Sequence, residues 1–214
     1  MLNTGLKTYD LLLKPTKLTQ IMSVKGSYTT AEPLEWNESI SFMNRLYDDG
    51  NFTISLLVGC GIFFGLRVSD ILRLKWSDLL SGDSFIIFEK KTNKRRVIKI
   101  NPNFKQHIKK CYTKMRPKHM EDLVFISKWG KPYTTNRLNV MFKTYKYRYR
   151  LNITHFSTHT LRKTFATRIY KMAGDRQEEF LVRLSELLNH SSVAITRKYC
   201  GLTQKVMMDT YDML

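Results

Sequence analysis

Phe52-Thr53-Ile54-Ser55-Leu56-Leu57-Val58-Gly59-Cys60-Gly61-Ile62-Phe63-Phe64, followed at once by Gly65-Leu66-Arg67-Val68-Ser69-Asp70, decides the architecture. The first part is apolar on nearly every side, the pattern of a helix buried in the middle of a domain. Its unbroken apolar run from Ile54 to Phe64 falls short of the ~20 residues needed to cross a bilayer. A helix of this kind needs other helices around it, so the chain should be mainly helical. Gly65 breaks the pattern, and Arg67 then stands in a turn between two helices. Ser69 reads as the N-cap of the second, with Ile71, Leu72 and Leu74 on its apolar face.

Upstream, residues 1–32 are weakly patterned. Leu11, Leu12 and Leu13 are followed by Pro15 and Gly26, and Thr29, Thr30 and Pro33 mark a boundary. The expected division is a lead or linker remnant over 1–32 and one domain over 33–214. Within the domain, Asn37 can cap a helix through Ile40, Phe42, Met43 and Leu46 that stops at Asp49-Gly50. Downstream, Ser84–Phe88 and Arg96–Ile100 read as two strands of a β-hairpin turning at Thr92-Asn93-Lys94. Residues 103–115 return to helical spacing. Leu123–Phe125 reads as a short strand before a turn at Trp129-Gly130-Lys131. Helices follow at about 134–149, 158–173 and 177–188, then a short piece at 192–198 and a last helix from Thr203 to Met213. The fold class is mainly α with a small antiparallel β-hairpin, an α+β arrangement.

The 214 residues carry 36 Lys or Arg against 18 Asp or Glu, a net charge of +18. With 43% hydrophobic residues the chain can build a core, which excludes a disordered basic tail. Residues 1–60 are near neutral, with 5 basic and 6 acidic groups, so the excess lies beyond them. Spread over many segments, it predicts a folded basic face that meets a polyanion, nucleic acid first and an anionic membrane surface second. Cys60, Cys111 and Cys200 are odd in number and widely spaced, with no zinc-like Cys/His spacing, as expected of free thiols in a reducing cytoplasmic or nucleoid setting.

Four local features carry chemistry. They are Gly65-Leu66-Arg67-Val68-Ser69-Asp70; Lys91-Thr92 in the hairpin; His159-Thr160-Leu161-Arg162 opening a helix; and Leu187-Leu188-Asn189-His190-Ser191-Ser192 with Tyr199 nine residues after His190. Each alone is common. An arginine at a helix start can bind any anion, and a hairpin lysine is usually solvated. Tyr170 and Tyr211 share the residue type of Tyr199 but lack its spacing from the histidine. His107, His119 and His155 read as surface or structural.

Taken in order, these residues resemble the tyrosine recombinase (phage integrase) family over roughly residues 35–214. The resemblance implies that family's catalytic-domain fold and a DNA strand-cleaving and strand-joining enzyme. A tyrosine hydroxyl attacks a phosphodiester, a 3′-phosphotyrosyl bond forms and a 5′ hydroxyl leaves. Tyr199 would be the nucleophile. Arg67 and Arg162 would hold the non-bridging oxygens, because guanidinium is always charged and matches phosphate in fork geometry. Lys91 would protonate the leaving oxygen, with Lys90 and Lys94 as competitors. His159 would move a proton or bind the phosphate, His190 would bind it from the other side, and Asp70 would cap or orient. No metal and no other cofactor is implied.

The implied partner is double-stranded DNA, held by a homotetramer on paired sites, with residues 200–214 docking on a neighbour through Leu202, Val206, Met207 and Met213 or else covering the chain's own core. Accessory DNA-bending proteins fit the same picture, and no membrane role does. Integration, excision or inversion of a phage or mobile element are the settings. Lys90, Lys94, Arg95, Lys143, Lys146 and Arg148 are candidate DNA contacts; Arg96 also crowds the hairpin turn. Lys143, Lys146, Arg148 and Arg150 alternate with Tyr145, Tyr147 and Tyr149, which reads either as base stacking or as solvated cations over half-buried tyrosines.

The chain departs from the family pattern in places. Asn189 replaces the usual glycine before the histidine, and Asn tolerates left-handed backbone. Asp175–Glu179 looks like an extra turn. Only about 30 residues precede the catalytic domain, where most members carry a further helical domain of about a hundred. The chain is then a catalytic fragment or a naturally short member. The rival functions are a DNA-binding regulator that keeps the fold and a relaxing topoisomerase of the same chemistry.

Overall fold

The computed structural model describes residues 31–202. In order, the chain forms α1 (Trp36–Asp48), α2 (Phe52–Phe64), α3 (Val68–Ile71), α4 (Trp76–Leu80), β1 (Ser84–Phe88), β2 (Arg95–Lys99), α5 (Pro102–Met115), α6 (Thr135–Arg148), α7 (Thr158–Met172), a 3-10 turn (Gly174–Arg176), α8 (Gln177–Leu187) and α9 (Val193–Tyr199). The helical class and the small hairpin are as the sequence predicts. The expected helix at 203–213, with Val206, Met207, Tyr211 and Met213, lies outside the described residues.

α2 is the central helix. It is buried from Ile54 through Ile62, and α1, α5 and α7 pack around it. Two glycines set the spacing that later matters for chemistry. A Cβ on Gly61 would stand 2.5 Å from the Leu161 Cβ, so glycine lets α7 approach α2 backbone to side chain. Gly65 ends α2 at φ +58, and a Cβ there would meet the Phe165 ring at 2.2 Å. The left-handed turn is one that glycine adopts without steric cost.

Most buried apolar residues form one cluster from Leu34 to Leu161. Ala166, Leu184, Leu188 and Cys200 form a second, small cluster that joins α7, α8 and α9. The strands pair antiparallel, Ser84 opposite Lys99 and Phe88 opposite Arg95. The turn is closed by Glu89 N–H to Lys94 O at 3.0 Å and Asn93 N–H to Glu89 O at 2.8 Å, with Asn93 left-handed.

Several boundaries differ from expectation. Ser69 is not an N-cap: Arg67 takes that place in extended backbone, and the helix begins at Val68. After the left-handed Gly65, only Leu66 and Arg67 are needed to turn the chain, so the helix starts early. Asn37 is not a cap either; Glu35 is, without a side-chain bond. β2 begins one residue earlier than expected. Leu123–Phe125 is no strand but a single bridge from Leu123 to Lys75, supported by Val124 N–H to Leu74 O at 2.9 Å. One paired residue on each side suffices because Val124 and Phe125 are anchored by burial.

Candidate active site

The site forms where the α2–α3 turn, the N-terminal half of α7, the α8–α9 connection and the base of the hairpin meet. Arg67 is carried by that first turn. Its Nη1 donates to Glu89 Oε2 at 2.8 Å, and its side chain is 20% exposed, so part of its fork faces outward. Arg162 lies one turn into α7 and is buried. Its Nη1 donates to the Gly65 carbonyl at 2.8 Å and its Nη2 to the Leu188 carbonyl at 2.6 Å. A single guanidinium thus ties the end of α2 to the end of α8. Burial and the charge of Arg67 lower its pKa, against the pull of Tyr199, Glu89 and Asp70.

Tyr199 closes α9. Its ring sits edge-on to His190, with centroids 5.1 Å apart at 68°, and the Lys163 ammonium stands 5.1 Å from the ring centroid on another side. Its Oη is sealed from solvent and has no partner at normal hydrogen-bond distance among the described residues, although the Arg162 guanidinium is close enough to bear on it. Burial pushes the phenol up to about 12, although Arg162 and Arg67 pull the other way. A buried hydroxyl without a partner is costly in a folded protein. Here it is the hydroxyl expected to react.

His190 follows Asn189, which adopts φ +51, so the left-handed turn survives the loss of glycine. His190 Nδ1 pairs with Thr196 Oγ1 at 2.9 Å, which fixes the ring. Burial, with Arg162 and Arg67 nearby, takes its pKa down to about 4, so the imidazole is neutral at pH 7. His159 is held at the start of α7, where Ser157 caps the helix. Partial desolvation, then Arg162, Lys163 and Arg67, lower its pKa as well.

Asp70 serves a positioning role through its backbone contact, and its charge also bears on Arg162. Its buried carboxylate accepts the Lys90 backbone N–H at 2.8 Å and so fastens the hairpin to α3. Lys91 is exposed at the hairpin tip and makes no side-chain hydrogen bond among the described residues. Arg67, Arg162, His159, His190 and Tyr199 are therefore brought together, while Lys91 is held near them only through its backbone turn. Lys94 crosses the gap instead, donating to Asn189 Oδ1 at 2.7 Å.

Of the other candidate DNA contacts, Lys90, Arg95 and Lys143 are exposed. Lys146 donates to the Thr154 carbonyl at 2.9 Å, and Arg148 pairs with Asp49 at 3.0 Å. Tyr145 and Tyr149 are buried and Tyr147 is 75% exposed, so the alternating tyrosines do not form a stacking row. Helical spacing turns alternate residues to different faces. Tyr170 is taken by Gln177 at 2.7 Å, and His107 is structural, bonded to Ser55 at 2.9 Å. The Asp175 region forms the 3-10 turn before α8.

Two further residues belong to the site, Glu89 and Arg96, neither of which the motif singles out. Glu89 is 2% exposed and Arg96 points inward beside Ile98. Arg96 Nη2 donates to the Phe64 carbonyl at 3.0 Å, and Nη1 stands 3.6 Å from Glu89 Oε1. Strand alternation would have found Arg96: it shares the parity of the buried Ile98. Among the described residues no group of three His, Cys, Asp or Glu could hold a metal ion, and no helix is long and apolar enough to cross a membrane.

Comparison with known proteins places this arrangement. The phage integrase family pattern matches residues 22–205. The probable integrase/recombinase YoeC of Bacillus subtilis is 34% identical over 180 residues, covering 84% of this chain and 94% of that protein. Tyrosine recombinase XerD of Staphylococcus saprophyticus is 26% identical over 69% of this chain, and the chain spans only 50% of it. Among solved structures, XerA recombinase superposes with a TM-score of 0.65 at 22% identity, covering 85% of this chain and 64% of that one. XerH bound to palindromic difH, a post-cleavage complex, gives 0.63 at 22% identity, covering 91% and 57%. With a catalytic-domain fold shared with these structures and a family match across most of its length, the chain belongs to the phage integrase family of tyrosine recombinases.

Proposed function

We propose that this chain is a site-specific DNA recombinase that cuts and rejoins duplex DNA through a covalent 3′-phosphotyrosyl bond to Tyr199. The observation that carries the reading is Tyr199 itself: its hydroxyl is sealed beside the Arg162 guanidinium with no close hydrogen-bond partner among the described residues, and its ring lies against His190 and Lys163.

In the forward step the Tyr199 oxygen attacks phosphorus, the phosphorus–O5′ bond breaks, and the DNA 3′ phosphate stays on the tyrosine. The phenol proton passes to His159, whose lowered pKa leaves it neutral and able to accept. The leaving O5′ takes a proton from Lys91. Arg67 and Arg162 neutralise charge on the two non-bridging oxygens, and His190 donates from its free ring nitrogen. Such transfer depends mostly on positioning and electrostatics, which suits a site of two arginines held by backbone carbonyls and a carboxylate. The ester conserves the bond energy, so the 5′ hydroxyl of another strand can reverse the step.

In this reading residues 33–214 are the catalytic domain and 1–32 a lead into it. Exchange between two duplexes needs four strand cuts and one tyrosine per cut, which supports a homotetramer on paired sites, with residues 200–214 available to dock on a neighbour. Integration or excision of a phage or mobile element is the corresponding biological act, at the nucleoid, with DNA-bending proteins as accessory partners. The likeness to the probable integrase/recombinase YoeC and to XerH bound to difH supports a DNA-recombining role. The test uses nicked suicide duplexes cut from the DNA that flanks the coding sequence. The native chain should become covalently linked and Tyr199→Phe should not; linkage by both would refute the assignment.

A further inference from the structure

We propose that Glu89 is a positioning residue that couples Arg67 to the turn carrying Lys91, so that the phosphate-binding arginine and the proton donor are set by one buried carboxylate. This rests on the recombinase reading above.

The geometry is specific. Glu89 Oε2 accepts from Arg67 Nη1 at 2.8 Å and from Thr92 Oγ1 at 2.9 Å. One oxygen thus holds the turn between α2 and α3 on one side and the residue next to Lys91 on the other. The Glu89 backbone closes the same turn through Lys94 and Asn93. Among the described residues one Arg67 nitrogen is engaged, and the rest of the fork is left for phosphate. Glu89 therefore orients the arginine without competing for its whole hydrogen-bonding edge.

The charges agree with this role. Arg67, Arg96 and Arg162 crowd one region, and Glu89 is the buried carboxylate set directly between Arg67 and Arg96. Burial alone would raise its pKa. The hydrogen bonds from Arg67 and Thr92 and the charges of Arg67 and Arg162 outweigh that, and the carboxyl lies below its ordinary range. Glu89 is thus ionised at neutral pH and supplies the negative charge that lets the guanidinium groups share the site before DNA arrives. An acidic residue beside Lys90, Lys91, Lys94, Arg95 and Arg96 has no electrostatic use on a DNA-facing surface, and it is turned inward instead.

The test compares Glu89→Gln with the native chain on nicked duplexes with an ordinary 5′ oxygen or a bridging 5′ sulfur, which leaves without a proton. Glu89→Gln should form the covalent adduct at least about tenfold more slowly with oxygen, since small misplacements at reacting groups cost this much. Duplex affinity should change less than about threefold, because one site among many phosphate contacts is altered. With sulfur the deficit should shrink severalfold, because the misplaced Lys91 is no longer needed. In the DNA-free protein, amide exchange at Lys90 and Asn93 should accelerate at least about tenfold, the mark of a loosened turn. Thr92→Val, which keeps every charge, should show the same pattern more weakly and serves if Glu89→Gln misfolds. Equal deficits with oxygen and sulfur, full-rate cleavage, or unchanged exchange would each overturn the coupling. If the native chain links to no duplex, the recombinase reading fails, while the exchange result still decides whether Glu89 ties the turn.

Discussion

Arg162 and Gly65 are joined by a 2.8 Å hydrogen bond from the guanidinium to the carbonyl of a left-handed glycine. The same guanidinium reaches the Leu188 carbonyl, so one interior cation orders two separate backbone turns. Replacing it removes both ties. We predict that Arg162→Lys loses about 2–3 kcal/mol of stability, the worth of buried charge-assisted hydrogen bonds, measured by urea unfolding. Adduct formation should fall about 100-fold or more, because lysine cannot supply the fork. Native stability in this variant would show that the carbonyl contacts carry no weight.

At Gly61 α7 packs tightly onto α2. A Cβ there would lie 2.5 Å from the Leu161 Cβ, so Gly61→Ala must push α7, and Arg162 with it, outward. Overpacking of this kind costs about 1–3 kcal/mol. A thermal melt should shift down, and adduct formation should drop by more than the loss of folded protein explains. A variant with a lower melting point but full specific activity would separate the packing from the chemistry.

His190 should be neutral through the physiological range. Burial beside Arg162 and Arg67 depresses its folded pKa to about 4, below its unfolded value. The stability linked to this group is therefore present above about pH 6.5 and is lost as pH falls through about 4. His107, also depressed to about 4 by burial, contributes in the same window. NMR titration of the assigned His190 ring resolves the two. A midpoint near 6.5 for His190 would contradict the buried site.

The Tyr199 phenol runs the opposite way. Its folded pKa is raised to about 12, chiefly by burial. The associated stability is complete below about pH 10, the ordinary tyrosine value, and disappears as pH rises through about 12. The difference in ultraviolet titration between the native chain and Tyr199→Phe should place this ionisation near 12. Adduct formation near pH 8 to 10 should accordingly show no rise that follows phenolate formation.

Lys143 and Arg148 lie on one helix but should behave differently. Lys143 is exposed, whereas Arg148 is paired with Asp49, which also accepts from Tyr149 at 2.7 Å. If α6 meets DNA, Lys143→Ala should lower the slope of log affinity against log salt by about 0.9, one phosphate contact. Arg148→Ala should instead cost less than about 1 kcal/mol of stability, as exposed pairs do, with a smaller change in slope.

Much of this was legible in the residues. The all-round apolar Phe52–Phe64 stretch identified the central helix because no other environment tolerates it. The nine-residue spacing marked His190 and Tyr199 as a pair, and a short connection and one helix bring their rings within 5.1 Å. What escaped was long-range and charged. Glu89 looks like one more polar hairpin residue, and only the fold brings Arg67 to it from 22 positions away. Ser69 and Asn37 failed as caps because tertiary packing at Gly65 and Trp36, rather than side-chain capping, sets where those helices start. The Lys94 bond to Asn189, a partner 95 residues distant, is likewise one that no local pattern indicates.

Tyr199 and the arginines also differ in what they rest on. Arg67 grows from the large cluster around α2, whereas Tyr199 packs with the small cluster of Ala166, Leu184, Leu188 and Cys200. Among the described residues few buried groups hold α9, fewer than hold the main core, and parts with fewer apolar contacts open first. Warming should therefore silence the protein before it melts it: the reactive tyrosine would swing out of register while the phosphate cradle stayed folded, and cooling would restore activity without any refolding of the whole.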